Sequence, residues 1–494
     1  MSALLDRFES LLQRWRTAFP QGRTFDHAVR LAFGFVTTWG RRTVSRALCT
    51  TSDQFQDWSA AYRFFSRAPW NPADLFQSLI DEAVAQTPER TSPFVVAMDD
   101  TTLKKTGHKI PGTGFLYDAS SPVFARSFRW SQRFIQVSML LRPEGGEGPA
   151  RGIPIRFVHC PPAQKPSRRA DAAAFQAYRE AKQVLRLPVR GSEILRDVRH
   201  CVDQAGAAHR TLLCAVDGGY CNRTFLTNLP DRTEVIARAR ADMRLFAPPD
   251  SACEVGRGRH RVYGERLPTP NEMRTDDRIP YQTAQVFASG RVHQLAYKEI
   301  APVLWRSGTR GRPMRLFILR PLRYRLTVRG RLLYRDPAYL LTTDLHTPAE
   351  VLLQAYFDRW EIEVNHRDEK DLFGVGQAQV RSPKAVERVP AFQVALYALL
   401  LLAALEAYGP RRSEVYLPVP KWRKDEDRRP STLDILALFR EELVQQAIDR
   451  RFRQGPALPS KADTSAPKNG RSTPKPTPQK HPVDIHSALL YALA

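Results

Sequence analysis

A chain of 494 residues with 43% hydrophobic content holds one large domain or two to three ordinary ones, with enough apolar surface for a sizeable core. Its 75 Lys and Arg outnumber 51 Asp and Glu, a net charge of +24. The charge is spread along the ordered-looking chain, which calls for a polyanionic partner and argues against a single membrane-binding patch. Part of the Arg excess matches the Arg-, Ala- and Pro-rich composition that GC-rich genomes encode. The six cysteines form no C-x2-C pair, so no disulfide framework or zinc site is expected, and His200, Cys201, Cys214 and Cys221 fit no zinc spacing. A reducing compartment follows.

In chain order, the N-terminus MSALLDRFESLLQRW lacks the apolar core of a signal peptide. Residues 1–90 read as a helical N-terminal domain. Phe25, Val29, Ala32, Phe33 and Val36 recur at helical spacing. Arg41, Arg42 and Arg46 follow, then a cap at Ser52 or Asp53 and a helix packing through Phe55, Trp58, Ala61, Tyr62 and Phe65. A third helix starts at a turn at Pro72. Such a basic-edged bundle either inserts a helix into a DNA groove or serves as plain scaffold.

Residues 91–244 read as the first part of an α/β domain. Phe94–Met98 is a short apolar strand running into Asp99-Asp100-Thr101-Thr102, and strands are expected at 133–141 and 153–159. Helices follow at 170–187 and 192–205. A strand at 211–216 ends in Asp217-Gly218-Gly219-Tyr220, and a short helix and the strand 234–237 come next. This order gives a mixed sheet. Residues 245–345 read as a β-rich insertion, with strands at 284–287, 315–319 and 324–328. Residues 346–453 complete the core, including an apolar run at 394–405 that is too short to span a bilayer and reads as a buried helix. The Pro-, Lys-, Ser- and Thr-rich stretch 454–482 is expected to be disordered.

The segment AYFDRWEIEVNHRDEKDLFG places Tyr356, Arg359, Glu363 and Lys370 in the pattern Y-x2-R-x3-E-x6-K. On one continuous helix they share an arc of about 60°. Leu353, Phe357, Trp360 and Val364 fall beside it and form an anchoring stripe. A phenol, a guanidinium, a carboxylate and an ammonium on one face suit phosphodiester chemistry, although a solvated charged face has the same pattern. Asp99, Asp100 and Asp217 each sit just past a strand end, where ligand sites form in α/β sheets. Turn residues occupy the same places. If these carboxylates converge with Glu363, they form an oxygen donor set for divalent cations.

These motifs resemble the DDE transposases of bacterial insertion sequences, specifically the group with the Y-x2-R-x3-E-x6-K signature (insertion sequence four-like). FVVAMDDTT looks like that family's first acidic strand and CAVDGGY like its second. The resemblance implies a ribonuclease H-like fold, two Mg²⁺ ions for which Mn²⁺ substitutes, and an acidic triad of Asp100, Asp217 and Glu363 that holds them. Thr101 after Asp100 favours Asp100 over Asp99 as the first member. Tyr356, Arg359 and Lys370 would contact phosphate near the cut. The implied partners are double-stranded DNA, as terminal inverted repeats and target, and a second copy of the chain in the synaptic complex. The implied location is cytoplasmic, on the nucleoid. Some relatives stack a flipped base on a Trp of the insertion; Trp305 is the one Trp in that region, in surroundings that match poorly. The competing readings are a catalytically silent DNA-binding descendant and another ribonuclease H-like nuclease.

Overall fold

The structure is a computed structural model that describes residues 3–86, 91–118, 121–122, 124–143, 148–249, 261–288, 290–325, 329–419, 421 and 429–454. The stretch expected to be disordered lies outside the described residues except at its first position, as do 326–328 of one expected strand.

The chain opens with helices α1 (Ala3–Gln13), α2 (Gly22–Thr37), α3 (Val44–Thr50), α4 (Trp58–Ser66) and α5 (Pro72–Ala85). Strands β1 (Phe94–Lys104), β2 (Gly114–Tyr117), β3 (Phe128–Leu141) and β4 (Arg151–His159) follow, then α6 (Ala172–Val184) and α7 (Leu187–Val202). Next come β5 (Leu212–Val216), α8 (Arg223–Leu226), β6 (Thr233–Arg238) and α9 (Pro270–Thr275). The third stretch holds β7 (Gln282–Ala288), β8 (Arg291–Leu304), β9 (Pro313–Leu319), β10 (Arg323–Tyr324), β11 (Leu333–Tyr334) and β12 (Ala338–Thr342). It ends in α10 (Ala349–Asp358), α11 (Trp360–Asp371), α12 (Pro383–Tyr408) and α13 (Thr432–Gln454).

The chain divides into two compact units, one of residues 1–69 with 403–494, the other of residues 70–402. In the first, Phe8 packs edge-on against Phe33 and Phe439, with ring centroids 5.9 and 4.9 Å away. The buried Glu442 accepts from the backbone N–H groups of Leu4 and Leu5, satisfying orphan donors at the start of α1. The helix α4 begins at Trp58, after a 3₁₀ turn at Asp53–Phe55, not at a Ser52 or Asp53 cap. It buries Ala61, Phe64 and Phe65, whereas Phe55 and Trp58 are exposed, so the expected stripe is rotated.

The second unit is built on a ten-stranded mixed sheet in the order β2-β3-β1-β5-β6-β12-β9-β8-β7, with β4 paired to β3. β1, β5 and β6 are parallel; the other pairings are antiparallel. Four strands of the expected insertion, β7, β8, β9 and β12, thus continue the same sheet, joined to the core through β12 on β6, while β10 and β11 pair as a separate two-stranded ribbon. Their core includes Leu295, Phe317 and Leu340, packed with Leu352 and Leu353 of α10. β8 is a 14-residue strand that the alternation of the sequence does not reveal, since its Arg, Glu and Pro residues interrupt the pattern. α12 is 26 residues long and apolar enough to cross a membrane by length, so the run is longer than expected, but 89% of its apolar window is buried inside the protein.

Candidate active site at the β1–β5 fork

β1 does not stop at Met98. It continues through Asp99 and Asp100 to Lys104, paired with β3 throughout. The parallel pairing with β5 ends at Met98 opposite Val216. The two strands therefore part at this point, and Asp99, Asp100 and Asp217 stand at the fork. The expectation that both acidic segments lie past strand ends holds for Asp217 and is corrected for Asp99 and Asp100.

Strand alternation divides the pair. Ala97 is opposite Ser138 and Asp99 opposite Gln136, so these four share one face of the sheet. That face is covered by α11: Gln136 Nε2 donates to Glu369 Oε1 at 2.9 Å and Ser138 Oγ to Asn365 Oδ1 at 2.9 Å. Asp99 therefore points towards the helix that carries Glu363, and Asp100 points to the other face. Arg359 Nη1 lies 3.7 Å from Asp99 Oδ2, and its Nη2 lies 3.2 Å from Glu363 Oε1. Asp100 Oδ2 is 3.7 Å from Arg133 Nε.

Three carboxylates in one fork repel one another. Burial, then the charges of Asp217 and Asp100, push the Asp99 carboxyl up to about 7. Burial and Asp217 raise Asp100 as well, against the pull of Arg133. Asp217 also does the turn work its DGG context implies, since the Gly219 N–H donates to its Oδ1 at 2.9 Å. The Tyr220 ring is buried beside this turn, in space left by Gly191, where a Cβ would approach its Cε1 to 2.8 Å. Its hydroxyl is held well above its usual range by burial and by Asp100, Asp99 and Asp217. Tyr220 and Arg133 belong to the site and were missed; Tyr220 stands three residues after Asp217, but an isolated Tyr carries no periodic signal.

The helix with the signature is not one rod. α10 and α11 meet at Arg359, whose backbone carbonyl accepts from Ile362 in a tight i+3 bond at 3.0 Å. The buried face of the pair carries Ala355, Asp358, Ile362, Asn365, His366 and Glu369. Trp360, assigned to the anchoring stripe, is 62% exposed. On α10 the expected stripe holds, with Leu353 buried and Phe357 packed on its cluster, but on α11 the anchor is largely polar and held by the sheet, so hydrophobic spacing fails at Trp360. Arg359 lies 6.0 Å from the Tyr356 ring centroid, and Tyr356 is raised by burial and by the charges of Asp217 and Glu363. Lys370 lies two turns beyond Glu363, lowered by burial beside Glu369 and Asp371.

Among the described residues, no group of three His, Cys, Asp or Glu is arranged to hold a metal ion. The donor set at the fork is nevertheless all oxygen, and its crowded negative charge is offset by two guanidinium groups at 3.2–3.7 Å. This chemistry fits a hard divalent cation. Beside the fork lies a cleft of about 740 Å³ lined by Gly218, Arg238, Asn271, Trp305 and Tyr339. The Trp305 indole rests on Gly308, where any Cβ would overlap the ring.

A family model described as DDE superfamily endonuclease matches residues 16–312, which include Asp99, Asp100 and Asp217. No curated protein matches the chain. The mixed sheet with acidic residues on adjacent parallel strands is a ribonuclease H-like α/β fold. With more than half of its length matched, the chain belongs to the DDE superfamily endonucleases.

Proposed function

We propose that this protein is a transposase of the insertion sequence four-like type, which binds transposon ends and cleaves and transfers their DNA strands in cut-and-paste transposition. The observation that carries the reading is the crowding of Asp99, Asp100 and Asp217 at the fork, next to the α10–α11 junction that brings Arg359 and Glu363 to it.

Asp217 and Glu363 would hold Mg²⁺, with Mn²⁺ as substitute, together with one member of the first-strand pair: Asp100 is the one the resemblance favours, and Asp99 is the one that shares the face of Glu363 and lies in reach of Arg359. Two such ions, when bound, supply an activated oxygen nucleophile and stabilise the leaving oxygen in phosphodiester displacement. The chain's own groups do the rest. Arg359 presents a planar donor fork that suits a phosphate, with the Tyr356 ring centroid 6.0 Å from its guanidinium carbon. Lys370, two turns away, would meet the backbone further along the strand than the scissile bond. The cleft with Arg238 and Trp305 has the ring and cation needed to receive a nucleotide beside the cut. The excess of 75 Lys and Arg over 51 Asp and Glu supplies the field for duplex terminal repeats and target. We place the protein on the bacterial nucleoid, as a homodimer that holds two ends.

The test is cleavage of a duplex carrying the terminal repeats that flank the gene. Mg²⁺-dependent nicking at the repeat boundary is expected. Nicking at structured RNA or DNA junctions, with the repeats ignored, would move the protein to another nuclease class.

A further inference from the structure

Beyond the fork, β3 and the edge strand β2 carry a ladder of uncovered aromatic side chains. Phe115 pairs with Trp130 and Tyr117 with Phe128 in register, which puts all four on one face. Their rings meet edge-on, with centroids 5.1 and 6.2 Å apart. Phe115 is 68% exposed, Phe128 63% and Tyr117 47%, and Phe124 in the connecting segment is 93% exposed. The opposite face of β2 behaves normally: Leu116 is buried, and Arg129 pairs with the buried Asp118 at 2.6 Å. Isolated exposed aromatics are common, but four on one small hairpin need a partner.

The charge around the ladder names that partner. Between Thr101 and Ser131 the chain has five Lys and Arg (Lys104, Lys105, Lys109, Arg126, Arg129) and one acidic residue, Asp118. Lys104, Lys109 and Arg126 are exposed. A second copy of the same surface would bring these cations together, whereas a strand of unpaired nucleotides offers phosphates to them and rings to the ladder. The position agrees. Ile135 stands opposite Asp100, and Trp130 is five residues earlier on β3, so the ladder begins about 17 Å from the acidic fork. Trp130 has its indole N–H satisfied by the Gly107 carbonyl at 3.2 Å and His108 against its ring, which fixes the innermost member.

We propose that the β2–β3 hairpin is a stacking platform for unpaired DNA bases a few nucleotides from the cut, with Phe115, Tyr117 and Phe128 as the stacking residues. The proposal rests on the reading of the fork as a DNA-cleaving site. It is tested with the full chain and two fluorescein-labelled probes of about 15 nucleotides or base pairs, one single-stranded oligothymidylate and one duplex. Phe115→Ala with Phe128→Ala is expected to weaken single-strand binding by about tenfold or more and to leave duplex affinity within about twofold. Phe115→Tyr with Phe128→Tyr should restore it. Sedimentation of the DNA-free variants is expected to match the wild type. Unchanged single-strand binding, equal losses on both probes, or a shift in oligomeric state with single-strand binding intact would each overturn the platform. A wild-type protein that binds neither probe would instead overturn the DNA-processing reading itself.

Discussion

Gly152 of β4 lies directly under Asn365 of α11: the Asn365 amide donates to the Gly152 carbonyl at 3.0 Å, and a Cβ on Gly152 would stand 2.8 Å from Asn365 Oδ1 and 2.9 Å from Glu361 Cβ. The absence of a side chain here sets the height of α11 above the sheet. That height fixes where Glu363 and Arg359 stand relative to the fork. Gly152→Ala should therefore lower stability by about 1–3 kcal/mol and lower cleavage further than the stability loss explains. Melting curves and single-turnover cleavage on the same sample check it; a stable, fully active variant would show that α11 can shift without consequence.

The acidic residues separate by substitution. Asp217→Asn and Glu363→Gln should each abolish cleavage while duplex affinity stays within a few fold. Asp99→Asn removes the carboxylate on the face of Glu363, which Arg359 approaches at 3.7 Å, and Asp100→Asn removes the one on the opposite face beside Arg133. The one whose loss abolishes cleavage is the metal-holding member, and loss of the other should only slow it; two fully active variants would remove β1 from the site.

Cleavage should require Mg²⁺ or Mn²⁺ and stop in chelator. A second readout does not need activity: Mn²⁺ should raise the melting temperature of the wild type by binding the folded fork, and Asp217→Asn should lose most of that rise. Equal rises in both proteins would place the ion elsewhere.

Trp360, expected to anchor the helix, is exposed, and Ile362 is buried in its stead. Ile362 is fully buried and packs with Ala97 and Leu140, so Ile362→Ala should cost about 2–5 kcal/mol. Trp360 is 62% exposed, and Trp360→Ala should change stability by about 0.5 kcal/mol or less. Chemical denaturation of both variants decides it.

Glu369 is buried, accepts from Gln136, and is pushed up to about 8 by burial. Its proton is bound in the folded state and lost in the unfolded chain above the ordinary carboxylate range. The stability it allows is therefore fully present below about pH 4.5 and declines as pH rises towards 8. Glu369→Gln removes the titration while keeping a polar partner for Gln136. It should raise stability at pH 8.5 by roughly 2 kcal/mol and change little at pH 5. A gain that is the same at both values would mean that Glu369 is not protonated in the fold.

Much of this was readable in the residues. The short apolar runs before Asp99 and Asp217 marked β1 and β5, because fully buried parallel strands are continuous in Val, Leu and Ala. The spacing of Tyr356, Arg359 and Glu363 marked the helix face near them. What escaped depends on partners distant in sequence. The continuation of β1 to Lys104 is imposed by β3, which no local pattern encodes. The polar anchor of α11 is legible only once Gln136, Ser138 and Gly152 are placed beneath it. Tyr220 joins the site through Gly191, 29 positions earlier in the chain.

The attachment of β12 to β6 has a practical consequence for anyone trimming this enzyme. β12 covers the outer edge of β6 over Ile236 to Arg238, and β9, β8 and β7 follow outwards from it. A trimmed chain that lacks 245–345 would leave that strand's backbone groups open in solution, one strand away from the acidic fork. Such an edge recruits strands from other molecules. The accessory region is thus a sealing margin for the sheet, and shortened versions should be judged first by whether they stay monodisperse.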